Sequence, residues 1–245
     1  MVEIELTPEE RATKTLSPAT IERARRAILD EGCVVLLDVA DPAHIAKVRD
    51  RMIEDIPHIL ARPDKPFNWN PGNLQQDPPP LPEYLFEDIL LNDFVLQVTE
   101  SVMGPGVQNG FYSGNTAMPR STQRQPVHAD IGHLWPNMEH ATPPYALVVN
   151  FPLVDMGPEN GATEIWPGTH KDTSIAMSDG DIKVTEEQLA KWRAIHPPIQ
   201  PKVRAGSALI RDIRMWHAGM PNPSDHHRPM AALIHWVGWW HLEPE

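Results

Sequence analysis

A single cysteine, Cys33, in a chain of 245 residues excludes an intramolecular disulfide. A chain this long buries about 70–75% of its unfolded surface and needs no such staple. No run approaches the roughly 18 consecutive apolar residues of a spanning helix, so no membrane partner is expected. The opening "MVEIELTPEERATKTLSP" is mixed and acidic, without the apolar segment of a secretory leader. Basic residues are also scarce. Lys and Arg number 21 against 33 Asp and Glu, for a formal net charge of −12, a field that repels phosphate and argues against nucleic acid. Glycine (14) is outnumbered by proline (27), which points to short strands and many turns rather than a helical bundle. A cytoplasmic, loop-rich protein of one domain over residues 1–245 is the expectation.

What is present is ordered along the chain. Ser17-Pro18 has the chemistry of a helix start and Gly32 that of a stop, with Ile21, Ala24 and Ile28 on one apolar face. "CVVLLDV" reads as a buried strand. Asp41-Pro42 opens a second helix with Ile45, Val48, Met52 and Ile56 inward, and Pro57 limits its run. Residues 61–82, "ARPDKPFNWNPGNLQQDPPPLP", are too proline-rich for a regular element. Their length suits a docked loop or a lid carrying Phe67, Trp69 and Asn70. A helical segment over 83–103 ends at Gly104. From about residue 107 the chain becomes a series of short β-branched and aromatic runs, interrupted by one helix that a Thr185/Gln188 capping box begins. A helical flank over 1–105 on a jelly-roll core over 106–245 follows, a mainly β fold with flanking helices.

Three His-x-Asp/Glu triplets occur, His128-x-Asp130, His170-x-Asp172 and His241-x-Glu243, so the triplet alone identifies nothing. In a strand, residues i and i+2 share a face, and His128 and Asp130 can converge on one ion. "GSALIRDIRMWHAG" supplies His217, 89 residues on, and "HHRP" supplies Arg228 eleven residues later. Two histidines and one carboxylate form the facial triad of non-haem Fe(II) sites, and an arginine fork grips a carboxylate bidentately.

The succession of "HAD", "FPLVDMGPENGATEIWPGTHK" and "AGSALIRD…WHAGMPNPSDHHR" resembles the phytanoyl-CoA dioxygenase-like (PhyH) family of Fe(II)/2-oxoglutarate-dependent oxygenases. The likeness is densest from Gln125 to Arg228. It implies a double-stranded β-helix, or cupin-like jelly-roll, core, with His128, Asp130 and His217 as iron ligands. It also implies Arg228 on the distal carboxylate of 2-oxoglutarate, with Gln125 and Thr163 as further cosubstrate contacts. The implied activity is oxidation of a C–H bond in a small organic molecule, by hydroxylation, desaturation or related tailoring in secondary metabolism. Fe(II), 2-oxoglutarate and O2 are consumed or held, and succinate and CO2 are released. A homodimer is compatible with it. The alternatives are a cupin-like metal-dependent dioxygenase or isomerase that does not use 2-oxoglutarate, and a non-catalytic partner subunit of the same fold. His133, Trp135, Tyr112, Met118 and Trp166 are candidates for the substrate wall, with core packing as the competing reading of each. Phe67 and Trp69 are candidates from the proline loop. Arg211 and Arg214 compete with Arg228 for the carboxylate, and spacing favours Arg228. His170 reads as structural, and Cys33 as core rather than nucleophile.

Overall fold

The structure, a computed structural model, describes residues 1–241. Seven strands, β1 (Val2–Glu5), β2 (Cys33–Leu37), β3 (Asn73–Gln75), β4 (Gln108–Ala117), β5 (Ala146–Pro152), β7 (Ala208–Asp212) and β9 (Arg228–Trp236), form one mixed sheet. Its order is β1-β2-β7-β5-β9-β4-β3, with β1 parallel to β2 and the other neighbours antiparallel. The remaining strands, β6 (Glu164–Ile165) and β8 (His217–Ala218), pair in a small second layer. Mainly β architecture with an N-terminal helical flank is therefore what the chain builds.

Strand alternation gives the large sheet two different faces. Val34, Leu36, Leu147, Val149, Phe151, Ile210, Ala231 and Leu233 point to the helical side. There they meet Ala24 and Ile28 of α2 (Pro18–Glu31), Val48 and Met52 of α3 (Pro42–Leu60), and Val95 and Val98 of α5 (Asp93–Met103). Each Val, Leu, Ile, Phe or Met among them, fully buried, stabilises the fold by about 1.5–3 kcal/mol. The intervening residues Val148, Asn150, Leu209, Arg211, Arg228, Met230, Ala232 and Ile234 line a cavity on the opposite face.

Several local expectations meet the structure directly. Ser17 caps α2 through Thr20 N–H, and Gly32 ends it in the left-handed region at φ 89°. Thr185 and Gln188 form the capping box of α6 (Glu186–Ile195). Other segments differ. The N-terminal "VEIE" is a strand inside the segment expected to be a mainly helical flank. α3 runs through Pro57 to Leu60, although Pro57 offers no N–H to the Ile53 carbonyl, and it ends within one turn of that proline. The segment over 83–103 is two helices, α4 (Glu87–Leu90) and α5, broken where Asn92 accepts the N–H groups of Phe94 and Val95. Residues 61–82 hold β3 on the sheet edge, where Asn73, Leu74 and Gln75 pair with Ala117, Thr116 and Asn115. The second layer is mostly single-residue bridges, linking Lys183 to His128, His128 to His217, and Ile165 to Ile199.

Candidate metal centre

His128 stands in the second layer, tied to His217 by a reciprocal backbone pair of 3.0 and 2.9 Å. Asp130 donates its backbone N–H to the Ile213 carbonyl at 3.2 Å. Only His128 keeps a strand-like bridge, so the i and i+2 convergence is achieved across a bend rather than within a regular strand. One ligand atom from each of His128, Asp130 and His217 lies within 4.8 Å of the others. Among the described residues this is the group of His, Cys, Asp and Glu side chains that meets so closely.

The donor set suits a divalent ion. His128 Nδ1 lies 2.8 Å from the Pro126 carbonyl and His217 Nδ1 lies 3.1 Å from the Met215 carbonyl. A carbonyl only accepts, so both Nδ1 atoms carry the proton and both Nε2 lone pairs are free for a metal. Burial, reinforced by the neighbouring His217, pushes the His128 imidazole down to about 4, so it is neutral at pH 7. Burial raises the Asp130 carboxyl, but Arg211 and then His217 outweigh it and hold the carboxyl well below the usual range. Asp130 Oδ2 accepts from Arg211 Nη2 at 2.6 Å, and Oδ1 lies 3.4 Å from His217 Nε2.

The three side chains open on a cavity of about 300 Å³ that Gln125, Thr163 and Arg228 also line. Arg228 donates Nη2–H to the Gly161 carbonyl at 2.9 Å, while its buried Nε and Nη1 have no partner among the described residues. A buried guanidinium with idle donors fits a carboxylate ligand. Gln125 is more occupied: its Oε1 accepts Gly219 N–H at 2.6 Å and its Nε2 donates to the Asn68 carbonyl at 3.3 Å. It thus pins the proline loop to the second layer beside the cavity.

The aromatic candidates scatter. Trp69 lies with its ring 5.3 Å from that of His128, at 43% exposure beside the triad. Phe67 bridges Leu74 within its own loop. Neither His133, Trp135, Tyr112, Met118 nor Trp166 lines the cavity. His133 is buried, with Nε2 2.9 Å from the Asp172 carbonyl and Nδ1 3.4 Å from Arg214 Nη1. Trp166 is core, donating to Glu164. Trp135 is exposed, Met118 lies in a separate surface depression, and Tyr112 packs toward the helical side. Lining residues not anticipated include Phe111, next to Tyr112 on the alternate face of β4, and the amides Asn68, Asn73, Asn115 and Asn150; Arg211, the rival of Arg228 on sequence, lines the cavity as well. Loop 61–82 contributes Asn68, Asn73 and Gln75 to the lining. His170 is buried against the Leu29 carbonyl, away from the triad. Burial raises the Cys33 thiol to about 12, which suits core rather than nucleophile. Glu243 of the third triplet lies outside the described residues.

Comparison with known proteins agrees with this layout. The phytanoyl-CoA dioxygenase (PhyH) family model matches residues 28–230. The dioxygenase andF of Emericella variicolor is 25% identical over 155 residues, 60% of this chain and 49% of that protein. The chain therefore spans about half the length of this curated relative. AviO1 of Streptomyces viridochromogenes Tue57 superposes with a TM-score of 0.66 at 21% identity, over 94% of this chain and 100% of that one. EctD of S. alaskensis, solved with 2-oxoglutarate and 5-hydroxyectoine, gives 0.71 at 18% identity, over 97% and 80%. SnoK, a non-heme alpha ketoglutarate dependent carbocyclase from nogalamycin biosynthesis, gives 0.67 at 18%, over 91% and 85%. At these identities the structural likeness is one of fold.

Proposed function

Because the chain belongs to the phytanoyl-CoA dioxygenase (PhyH) family, we propose that it is an Fe(II)/2-oxoglutarate-dependent dioxygenase that oxidises a C–H bond of a small organic molecule. One observation carries the reading: a His–Asp–His ligand set and an arginine with idle donors open on the same cavity. His128 and His217 would hold the ion through Nε2, and Asp130 through Oδ1. Bound there, iron with 2-oxoglutarate and O2 supplies an oxidant for unactivated C–H bonds, at the expense of converting the cosubstrate to succinate and CO2.

The chain's own residues do the rest. The Pro126 and Met215 carbonyls fix both imidazole tautomers. Arg228 would take the distal carboxylate of 2-oxoglutarate, with Thr163 and Gln125 beside it in the lining. Ile131, Val148, Leu209, Ile213, Met230 and Ile234 give the chamber an apolar wall that keeps water from the reacting centre. A cavity of about 300 Å³ is at the low end of the roughly 300–1,000 Å³ of ligand sites. With the cosubstrate inside, it suits a small metabolite better than a nucleotide-bearing thioester. A role in secondary metabolism, as a cytoplasmic homodimer acting on neither nucleic acid nor membrane, completes the proposal. The described residues contain no helix long and apolar enough to cross a membrane.

Anaerobic protein given Fe(II) and then 2-oxoglutarate should develop a weak visible charge-transfer band. A folded, iron-loaded sample that shows no band overturns the reading.

A further inference from the structure

We propose that Arg211 anchors the primary substrate through a carboxylate, and that the enzyme therefore acts on small organic acids. The proposal deepens the Fe(II)/2-oxoglutarate reading and rests on it. Arg211 projects from β7 into the cavity, on the same face as Leu209. Its side chain is 7% exposed. Nη2 donates to Asp130 Oδ2 at 2.6 Å, while Nη1 is buried and has no acceptor among the described residues. A buried donor without a partner signals a missing ligand when it faces a chamber built for one.

The single bond to Asp130 sorts the two carboxylate oxygens. Oδ2 is taken by Arg211, so Oδ1, on the His217 side, is the oxygen left for the ion. Arg211 thus reaches from a metal ligand into the remaining space, and a group bound at Nη1 sits beside the metal rather than at the cavity mouth. Arg228 reaches the same space from β9 and binds a backbone carbonyl at Gly161. The two guanidiniums are therefore separately placed, one for the cosubstrate and one for a second anion.

Charge gives the same answer. A divalent ion and two guanidiniums face one ligand carboxylate, Asp130, and the two carboxylates of 2-oxoglutarate. One positive charge is left over inside a low-dielectric chamber, where only a buried counter-charge compensates it well. A monoanionic substrate supplies it. The lining also carries neutral groups, Asn115 Oδ1 and Asn73 Nδ2, both buried and without a partner among the described residues. These suit hydroxyl, amine or carbonyl substituents on the same small acid.

The test uses the full chain, anaerobic, loaded with Fe(II) and 2-oxoglutarate and titrated calorimetrically with small monocarboxylic acids, each paired with its primary amide. At least one acid should bind about tenfold or more tightly than its amide, as a charge-assisted hydrogen bond requires. In Arg211→Met that preference should vanish, and in Arg211→Lys, which keeps charge but not the fork, part of it should survive. The acid-to-amide ratio is the readout, because Arg211 also holds Asp130 and its loss weakens acid and amide alike. No acid preferred over its amide in the wild-type protein overturns the inference even if the variants do not fold, and so does a preference that persists in Arg211→Met. Failure of the wild-type protein to show the 2-oxoglutarate band is a separate result and counts against the proposed function itself.

Discussion

Replacing Arg228 by methionine should stabilise the ligand-free protein while crippling cosubstrate binding. Burial pushes the Arg228 guanidinium from 12.5 down to about 10. That difference corresponds to roughly 3 kcal/mol against keeping the charged form in the fold. Because the folded value is depressed, the charged form is fully populated below about pH 10, and the whole cost is present at neutral pH. Methionine removes the charge and forfeits the hydrogen bond to the Gly161 carbonyl, worth about 1 kcal/mol. The net gain is about 2 kcal/mol, or a rise in Tm of about 4–8 °C for a chain of this size. With 2-oxoglutarate the sign reverses, because the lost carboxylate fork should weaken the Kd at least about 100-fold. Thermal unfolding with and without 2-oxoglutarate, together with titration calorimetry, measures both effects. A fall in the ligand-free Tm combined with an unchanged Kd would refute the assignment of Arg228 as a preorganised carboxylate receptor. It would also favour a metal enzyme of this fold that does not use 2-oxoglutarate.

Three other outcomes follow from the same structure. His128→Ala and Asp130→Ala should each abolish succinate formation while leaving circular dichroism native, and turnover retained in both would show that a different set of side chains holds the metal. His235 is buried beside Thr99 Oγ1 with Nε2 unpartnered, and burial depresses it to about 4. Its contribution to stability is complete above about pH 6.5 and is lost as pH falls toward 4, by up to roughly 3 kcal/mol. His235→Gln should flatten that part of the urea-stability profile, and a slope identical to wild type removes His235 as its source. Gly114→Ala should destabilise by about 3 kcal/mol, since its Cβ would meet the Met230 carbonyl oxygen at 2.2 Å; an unaltered Tm would show that the β4–β9 pairing yields there.

Arg211, Arg214 and Arg228 show what a sequence can and cannot disclose. Local chemistry is legible where neighbours in sequence are neighbours in space: Ser17 and Gly32 bound α2, and Thr185 with Gln188 starts α6. β1 escapes notice because "VEIE" is recognisable as a strand only once β2 lies beside it. The substrate-wall aromatics fail for a related reason. Residue type does not reveal which way a strand residue points, so β4 puts Phe111 in the cavity lining and Tyr112 on the helical side. For the arginines, spacing from His217 favours Arg228 and leaves Arg211 and Arg214 as rivals, yet the fold gives each a different partner. Alternation along β7 sends Arg211 and Asp212 to opposite faces, so adjacent opposite charges cannot pair. Arg214, beyond the strand end, turns back to Asp212 at 2.6 Å in a buried pair. Arg211 is left facing inward with no counter-charge of its own. A guanidinium in a buried strand requires a carboxylate from elsewhere in the chain. Here that carboxylate is Asp130, the acidic member of the triad. A charged residue inside "SALIRD" is thus itself a pointer to the His–Asp–His cluster, and its idle Nη1 is the atom on which the proposed substrate contact rests.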